Sequence, residues 1–514
     1  MIFMNALNSH CMSRMRYISL VFLAALCWQT GLSAQTFESV LRRNFWNTSE
    51  NVTGIRQDSL SRSYAEVFGG YGTGGFRDTW QPEEGWNAGA QTESIRHFER
   101  MSMIGSFSFE QNEYYGMCGS MFIDPGYYPI DVLEFTPGRK TLQTYTFTGG
   151  ISYDVAPGWR IGAKMDFKSA NIAKRKDLRY SNWKLDMGVA PGFMYSSGSY
   201  SIGAAAFFGK NTETIDAEQI GTAESSYYAF FDKGLMYGTR QVWTGSGVYL
   251  DESGVNGLPV KEGLYGGSLQ FQRGNFYADL DIVASEGSVG EKEYVWFDFS
   301  GIRYGASLQY KKESRSSDHY FRMRLALKNQ ILNERVLEKD SENGVIVVTY
   351  HGSNRILSRE TVSFAPEYEF VNDRMELLAS VTISTDNGLA SQMYPYVSGR
   401  SLGRYDAGID ALFHVGKFDF GASLGYGFGS LSEVDYVVDS DQEVQTAPYR
   451  LQNWYDRQME YLTAHRLEAG LSVRWNFTKG MYLKAAGEWM HGFNLVHLSS
   501  PDCIGATLTI GYEF

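Results

Sequence analysis

IGATLTIGYEF, residues 504–514, closes the chain. Ile504, Ala506, Leu508, Ile510, Tyr512 and Phe514 share one face of a strand, and Gly505, Thr507, Thr509, Gly511 and Glu513 share the other. A water-soluble edge strand rarely ends in this way. The pattern fits a β-strand with one face on lipid, the last strand of a closed barrel. The same alternation recurs upstream. In WKLDMGVAPGFMY, residues 183–195, Trp183, Leu185, Met187, Val189, Pro191, Phe193 and Tyr195 alternate with small or polar residues such as Lys184, Asp186, Gly188 and Gly192. In FDFGASLGYGF, residues 418–428, Phe418, Phe420, Ala422, Leu424, Tyr426 and Phe428 form the apolar face. A β-sandwich also alternates, so recurrence and the small, charged second faces decide for a transmembrane barrel.

Composition agrees. Aromatics make up 15% of the 514 residues, glycine numbers 55, proline only 11, and mean hydropathy is −0.30. A transmembrane β-strand shows lipid only every second residue, so averaging hides its apolar face. RMRYISLVFLAALCWQTGLSA, residues 14–34, reads as a secretory signal: Arg14 and Arg16, an apolar core from Tyr17 to Trp28, then small residues at Ser33 and Ala34. Cleavage near Ala34 is expected. Met12 or Met15 are alternative starts, and Cys27 lacks the context of a lipid anchor. No later run of about 18 apolar residues exists, which excludes a helical membrane protein. Removing two of 46 basic residues leaves 44 against 58 acidic ones, a net charge of −14, which argues against nucleic acid as a partner. Cys118 and Cys503 remain, and sequence alone does not fix whether they pair.

Short turns at 155–158, 196–198, 273–275, 313–317, 372–374, 416–417 and 478–480 alternate with long polar stretches at 111–140, 210–262, 331–358 and 431–461. That asymmetry is the one expected of tight periplasmic turns and long external loops. Fifteen strands follow directly: 141–154, 159–170, 182–195, 199–209, 264–272, 276–286, 302–312, 318–330, 359–371, 375–386, 403–415, 418–430, 462–477, 481–493 and 504–514. An even number requires at least 103–110, giving sixteen, and the weaker segments 63–71 and 86–97 bring the preferred count to eighteen. Pro191 and Pro366 fall inside these strands and are expected to mark bulges or strand ends. The expected order is a signal over 1–34, a periplasmic or lumenal segment over 35–61, and an antiparallel up-and-down barrel over 62–514. Segment 35–61 is too short for the plug of a TonB-dependent receptor, and the strand count falls short of such a receptor's twenty-two.

The alternating strands, the terminal Tyr512 and Phe514, and the loop MFIDPGYYPIDVLEFTPG at 121–138 resemble a set of Bacteroidota outer-membrane β-barrel proteins of unassigned function. In that loop Asp124, Pro125, Tyr127, Tyr128, Pro129 and Asp131 stand out. The terminal aromatic resembles the signal read by the barrel-assembly machinery, and the resemblance implies that route of insertion. WNTSENVTGI, residues 46–55, more loosely resembles the N-terminal Ser-x-Asn-Pro-Ala-Gly-Leu stretch of long-chain fatty-acid transporter barrels, with Val52 and Thr53 in place of Pro-Ala. In that family the segment belongs to an N-terminal plug that shifts for hydrophobic cargo.

The inward faces of 302–312 and 318–330 carry Arg303, Lys311, Arg322, Arg324 and Lys328, with Arg303 opposite Lys328 on antiparallel pairing. A cationic stripe of this kind selects anions in charged pores. Asp279 and Asp281 before it, and Glu367 and Glu369 after it, favour instead a neutral salt-bridge network. His465 and His491 on the outward face near the external end raise a lipid-modifying activity, but the last strand offers no outward serine nucleophile beside them. Two histidines also make an incomplete metal site. The aromatic loop SSYYAFFDKGLMYG, 225–238, suits either partner binding or an inward-folded lid. GGYGTGG, 69–75, lacks the Gly-Lys-Ser/Thr of a phosphate loop.

These readings converge on an outer-membrane barrel that passes or captures a solute passively, in contact with outer-membrane lipid and with possible surface or periplasmic partner proteins. Display of loops for adhesion or assembly is the alternative, and lipid modification a distant third. No enzyme activity, cofactor or metal is expected.

Overall fold

The computed structural model describes residues 41–514 apart from 58–60, 177, 218–226, 244–249, 252–253, 256, 292–293, 343–344, 394–395, 435–450 and 479. The signal segment and its cleavage site lie outside the described residues. Twenty-two strands form one sheet, and four short ones (Tyr227–Asp232, Gly238–Trp243, Leu250–Asp251, Gly254–Val255) belong to a single connection, leaving eighteen for the wall. The wall strands are β1 (Arg62–Gly74), β2 (Glu84–His97), β3 (Met101–Ser120), β4 (Asp131–Ala156), β5 (Trp159–Lys174), β6 (Tyr180–Ser196), β7 (Ser201–Ala217), β8 (Gly257–Arg273) and β9 (Phe276–Glu291). They continue as β10 (Tyr294–Glu313), β11 (Asp318–Glu342), β12 (Val345–Val371), β13 (Met375–Met393), β14 (Tyr396–Val415), β15 (Phe418–Val434), β16 (Arg466–Asn476), β17 (Met481–Gly492) and β18 (Asp502–Glu513). Each pairs antiparallel with its sequence neighbour.

The first and last strands close the ring, with Val67 opposite Ile510 and Tyr71 opposite Ala506. Ser63 and Phe514 exchange both backbone hydrogen bonds at 2.9 Å, so the final residue is part of the seam. A closed barrel has no free edge in the hydrocarbon, which satisfies every backbone donor and acceptor there.

The outward face is the alternating set read from sequence. Leu424, Leu471, Leu508 and Ile510 are more than half exposed, as lipid contacts must be in an isolated chain. Rings gather at the periplasmic rim, where Trp159 packs on Tyr195 (4.9 Å) and Tyr512 stacks on Phe514 (5.4 Å). Tyr405 stacks on Phe428 (4.9 Å) toward the other rim. These are the two girdles of a membrane barrel.

Three expectations are corrected. Three of the four stretches read as long external loops are largely strand: β3 runs to Ser120, β7 to Ala217, and β11 and β12 fill nearly all of 331–358. Pairing continues beyond the lipid band, where the strict alternation of apolar and polar residues is lost. Second, residues 462–463 end a helix, α1 (Leu451–Thr463), and the following strand begins at Arg466. Leu451, Trp454, Tyr455, Met459 and Leu462 fall on one helical face and are buried. Third, Pro191 and Pro366 mark neither bulges nor strand ends. The β6–β7 ladder skips from Val189–Phe208 to Gly192–Ala205, and the β12–β13 ladder from Phe364–Ile383 to Glu367–Ser380, each without a change of register. A missing N–H interrupts pairing on one side only, and the strand carries on.

Candidate functional site

The lumen is occupied from both ends. From the periplasmic side, residues 41–57 enter as two 3-10 turns, Phe45–Thr48 and Val52–Gln57. Asn44 caps the first by accepting from Trp46 N–H. Trp46 is buried edge-on to Tyr277 (5.5 Å), and its indole N–H donates to Gln272 Oε1 at 2.5 Å. Asn51 Nδ2 donates to the carbonyls of Phe193 (3.0 Å) and Ala204 (3.2 Å) and to Gln270 Oε1 (3.0 Å), bridging three wall strands.

Inward glycines make room for this segment. A Cβ at Gly192 would lie 2.5 Å from Asn51 Oδ1, and one at Gly203 would lie 2.6 Å from Asn51 Nδ2 and 2.8 Å from the Trp46 ring. Gly162, opposite Gly192 across β5–β6, and Gly150 make the same close approach to Val52. The seat is therefore built into the wall sequence. It is locked by charge: Glu369, fully buried, receives Arg42 (2.5 Å), Arg43 (3.1 Å) and Arg322 (2.5 Å), while Arg43 also meets Glu376 (2.6 Å).

From the other end, the connection 121–130 folds into the lumen. Every residue in it except Gly126 is buried. Gly126 takes φ +76°, the left-handed turn that returns the chain after Pro125. Asp124 accepts from Lys168 (3.1 Å) and Lys184 (2.7 Å). Burial raises the Asp124 pKa, but these two ammoniums outweigh it and bring the carboxyl down to about 2. Tyr127 stands edge-on to Tyr128 (4.6 Å), and its hydroxyl donates to Glu262. Asn211 donates to the Tyr128 hydroxyl (3.0 Å), and Gln330 and Arg359 reach the carbonyls of Tyr127 and Gly126 at 3.3 Å. Pro129 is buried within the loop, and Asp131 begins β4, where its carboxylate accepts from Ser120 Oγ (2.6 Å) and Val132 N–H (2.7 Å). Five of the six loop residues singled out from sequence, Asp124, Pro125, Tyr127, Tyr128 and Pro129, thus belong to one inward plug, and the sixth, Asp131, starts the strand that follows it.

Other external segments cover it. The start of β4 pairs with Phe230–Asp232, and Ala229, Phe231, Leu235 and Tyr237 join the apolar cluster of Met121, Tyr128 and Phe299. Helix α1 adds Trp454 against Phe135 (5.2 Å). Cys118 and Cys503 are buried free thiols in this second cluster. In the connection 75–83, Asp78 accepts from Thr79 N–H (2.6 Å); burial, only partly offset by Thr79, Arg404 and Arg457, raises its carboxyl to about 7.

The lumenal charges read from sequence do meet. Arg303 pairs with Asp281 (2.5 Å) and lies opposite Lys328 in the ladder; Lys328 Nζ sits 5.8 Å from the Tyr127 ring. Arg324 pairs with Glu367, Arg322 with Glu369, and Asp279 accepts from Gln270 (2.9 Å). Lys311 lies apart, held by Glu313 (2.8 Å) and Asp318 (3.2 Å) near a periplasmic turn. The set is a neutralised network rather than an open cationic stripe. Sequence reading missed Glu50, Asn51, Lys164 and Lys168, although clustered inward glycines on β4–β7 were a visible sign of an occupant. His465 bonds the Tyr426 hydroxyl (2.7 Å), and His491 bonds Asp502 (2.8 Å). Among the described residues, no group of three or more His, Cys, Asp and Glu has the geometry to hold a metal ion.

The match that decides kinship spans residues 52–514, the whole wall and the second of the two lumenal 3-10 turns. The chain belongs to a family of unknown function, DUF6850. No curated protein matches this DUF6850 chain. Solved structures similar to it include the copper transporter OprC, at 9% identity and TM-score 0.44, covering 88% of this chain and 80% of that one. A mutant ferric enterobactin receptor, PfeA of Pseudomonas aeruginosa, matches at 7% identity and TM-score 0.41 over 89% and 81% of the two chains. BauA, the ferric preacinetobactin receptor of Acinetobacter baumannii, matches at 8% identity and TM-score 0.39 over 88% and 79%. Likeness at this level carries no argument about cargo.

Proposed function

We propose that this outer-membrane barrel is a gated passage for a solute, closed in the state described and opened by displacement of its own lumenal segments. The observation that supports this reading is the manner of attachment. Both plugs sit on preformed seats of the wall, and besides the apolar contacts of Trp46 and of Met121 and Tyr128 each is fastened by a few ion pairs, Arg42 and Arg43 on Glu369 and Asp124 with Lys168 and Lys184, so that the loss of one charge weakens the whole attachment. An eighteen-stranded wall is wider than side chains alone fill, and here the chain supplies the filling from the segment before its first strand and from its loops. The likeness of residues 46–55 to fatty-acid transporter barrels belongs to this reading, with the segment as the displaceable element. Passage is passive and non-enzymatic on this proposal. The barrel is inserted by the assembly machinery.

Planar-bilayer conductance tests it. The intact protein should be closed, with rare openings. Replacing residues 41–57 by a Gly-Ser linker, together with Lys168→Ala and Lys184→Ala, should give steady ion flow. Silence in that variant, when heat-modifiability shows it folded, would sink the proposal.

One observation favours surface display as the second reading. Past Glu334 on β11 and Leu357 on β12, the hairpin has no neighbouring strand among the described residues, so the two strands project as a ribbon. Its returning strand begins VIVVTY, residues 345–350, an uncharged stretch with an open edge of the kind that accepts another strand. Binding of partner proteins lost on trimming residues 336–354 would favour this reading over passage.

A further inference from the structure

On the outer face of the wall, within the apolar band, a furrow of about 810 Å³ crosses six strands, β10 to β15. The ladders fix its two banks. One runs strand by strand from Tyr310 through Phe321 and Tyr368 to Leu424, the other from Leu308 through Met323 to Tyr426. Ala379 and Ala407 stand at its middle, where their single methyl groups leave the backbone floor open. Five strand spacings make the furrow about 24 Å long. Strands of such barrels tilt by about 40°, so a furrow across them climbs about 15 Å of an apolar band about 25 Å tall. That is the depth to which the acyl chains of one leaflet reach.

Its periplasmic end is cationic. The bank that contains Tyr310 continues through Phe276 on β9 to Arg273 at the end of β8, and Lys312 lies two residues beyond Tyr310 on the same outward face. Two strand spacings and two residues separate the Arg273 and Lys312 backbones by about 12 Å, a span that two long side chains close over one phosphate. Both residues are exposed, and among the described residues neither side chain has a hydrogen-bond or ion-pair partner. Carboxylates do not balance them. Glu313 and Asp318 are held by Lys311 (2.8 and 3.2 Å), and Arg315, exposed in the same turn, leaves that turn with three cations against two acids. Beside Arg273 the outward residues are Phe271, Phe276 and Leu280.

We propose that the furrow holds an anionic glycerophospholipid of the periplasmic leaflet, its phosphate on Arg273 and Lys312 and an acyl chain lying between the two banks. Long cationic side chains just beyond the aromatic girdle reach out to the level of the headgroups. Charge-assisted hydrogen bonds to phosphate favour a headgroup that carries no ammonium of its own. The furrow alone would take any chain; the two cations at its lower end choose the lipid and the leaflet. The site rests on the outer-membrane placement, with the short turns in the periplasm, and is independent of whether the lumen conducts.

Native mass spectrometry of the purified full-length protein tests it, with phosphatidylglycerol as probe and with phosphatidylcholine and millimolar glycerol phosphate as comparisons. Wild type should retain phosphatidylglycerol several-fold over phosphatidylcholine, and glycerol phosphate should not displace it. Arg273→Ser with Lys312→Ser should lower that retention about tenfold, one charge-assisted contact's worth. Ala379→Phe with Ala407→Phe should do the same by filling the furrow with no change of charge. Ala485→Phe, exposed on the outward face of β17, should change nothing. Heat-modifiability shows that each variant is folded. Undiminished retention by the double-cation variant, or equal retention of phosphatidylcholine by wild type, overturns the headgroup site. Undiminished retention by the filled furrow, or an equal loss in Ala485→Phe, overturns the acyl path. Displacement by glycerol phosphate would mark a free-anion site and overturns the proposal as well. A gated passage that failed its conductance test would leave these results untouched.

Discussion

Lys164 and Lys168 project into the lumen from one strand, β5, and each holds a different plug. Lys164 pairs with Glu50 of the periplasmic segment at 3.3 Å, and Lys168 pairs with Asp124 of the external loop at 3.1 Å. Four residues at about 3.3 Å each separate them by about 13 Å. Asp166 stands between, 3.3 Å from Lys164. The two closures thus nearly meet on a single stretch of wall, and loosening one exposes the anchor of the other.

Glu369→Gln removes the charge that Arg42, Arg43 and Arg322 share. Breaking a buried ion pair on one side costs about 3–5 kcal/mol. The segment 41–57 should leave its seat more often, so trypsin should cut at Arg42 and Arg43 at least tenfold faster while heat-modifiability of the barrel is kept. An unchanged cleavage rate would show that the carboxylate does not hold the segment.

Gly192→Leu places side-chain carbons where Asn51 lies. With Cys118 and Cys503 changed to serine, a cysteine at position 53, buried in the parent, should react slowly with maleimide there and several-fold faster in the leucine variant. Gly198→Leu, in a turn with nothing within 4 Å, should have no such effect.

Asp124 has a folded-state pKa of about 2, below its ordinary value near 3.9. Its stabilisation is fully present above the unfolded value and is lost as pH falls from about 4 through 2. Asp124→Asn imposes the neutral form at pH 7, so hydrogen exchange of residues 121–130 should accelerate about tenfold or more at that pH. Lys184→Met should act in the same direction by leaving the carboxylate buried with one partner fewer.

Asp78 behaves oppositely. Its carboxyl is raised to about 7, so the folded state binds the proton more tightly than the unfolded one between about pH 4 and pH 7. Stability of the connection 75–83 should fall as pH rises through that window and level off above it. Limited proteolysis of this connection should be faster at pH 8 than at pH 5, and Asp78→Asn should remove the difference.

Deleting Phe514 removes the residue that exchanges two hydrogen bonds with Ser63 at the seam and stacks on Tyr512. Export should continue while the yield of membrane-integrated, heat-modifiable protein drops several-fold. Normal yield would show that the terminal ring is dispensable for insertion.

The wall was legible because lipid imposes a period. Trp183, Phe193, Phe420 and Leu508 all lie on the outward face that alternation assigns them, and the short turns fall where Gly, Pro, Asn and Asp interrupt it. Outside the hydrocarbon that constraint lapses, which is why the upper halves of β11 and β12 read as loop. The loop 121–130 stood out by its Asp-Pro-Gly-Tyr-Tyr-Pro chemistry, but its inward fold depends on Lys168, Lys184, Asn211 and Glu262 from four different strands. No local pattern encodes such a meeting. Helix α1 was hidden because a stretch between barrel strands was weighed only for period two.

The seat of Asn51 has a consequence for assembly. Its three acceptors, Phe193 O, Ala204 O and Gln270, lie on β6, β7 and β8, and the two glycines beside it, Gly192 and Gly203, on β6 and β7. All are present once the first half of the sheet exists, long before β18 reaches β1. The leading segment can therefore settle on a sheet still open on one side, and the remaining strands wrap around it. The barrel then closes on contents already in place, and an Asn51→Ala chain should lag at the stage of a half-curled sheet rather than at the seam.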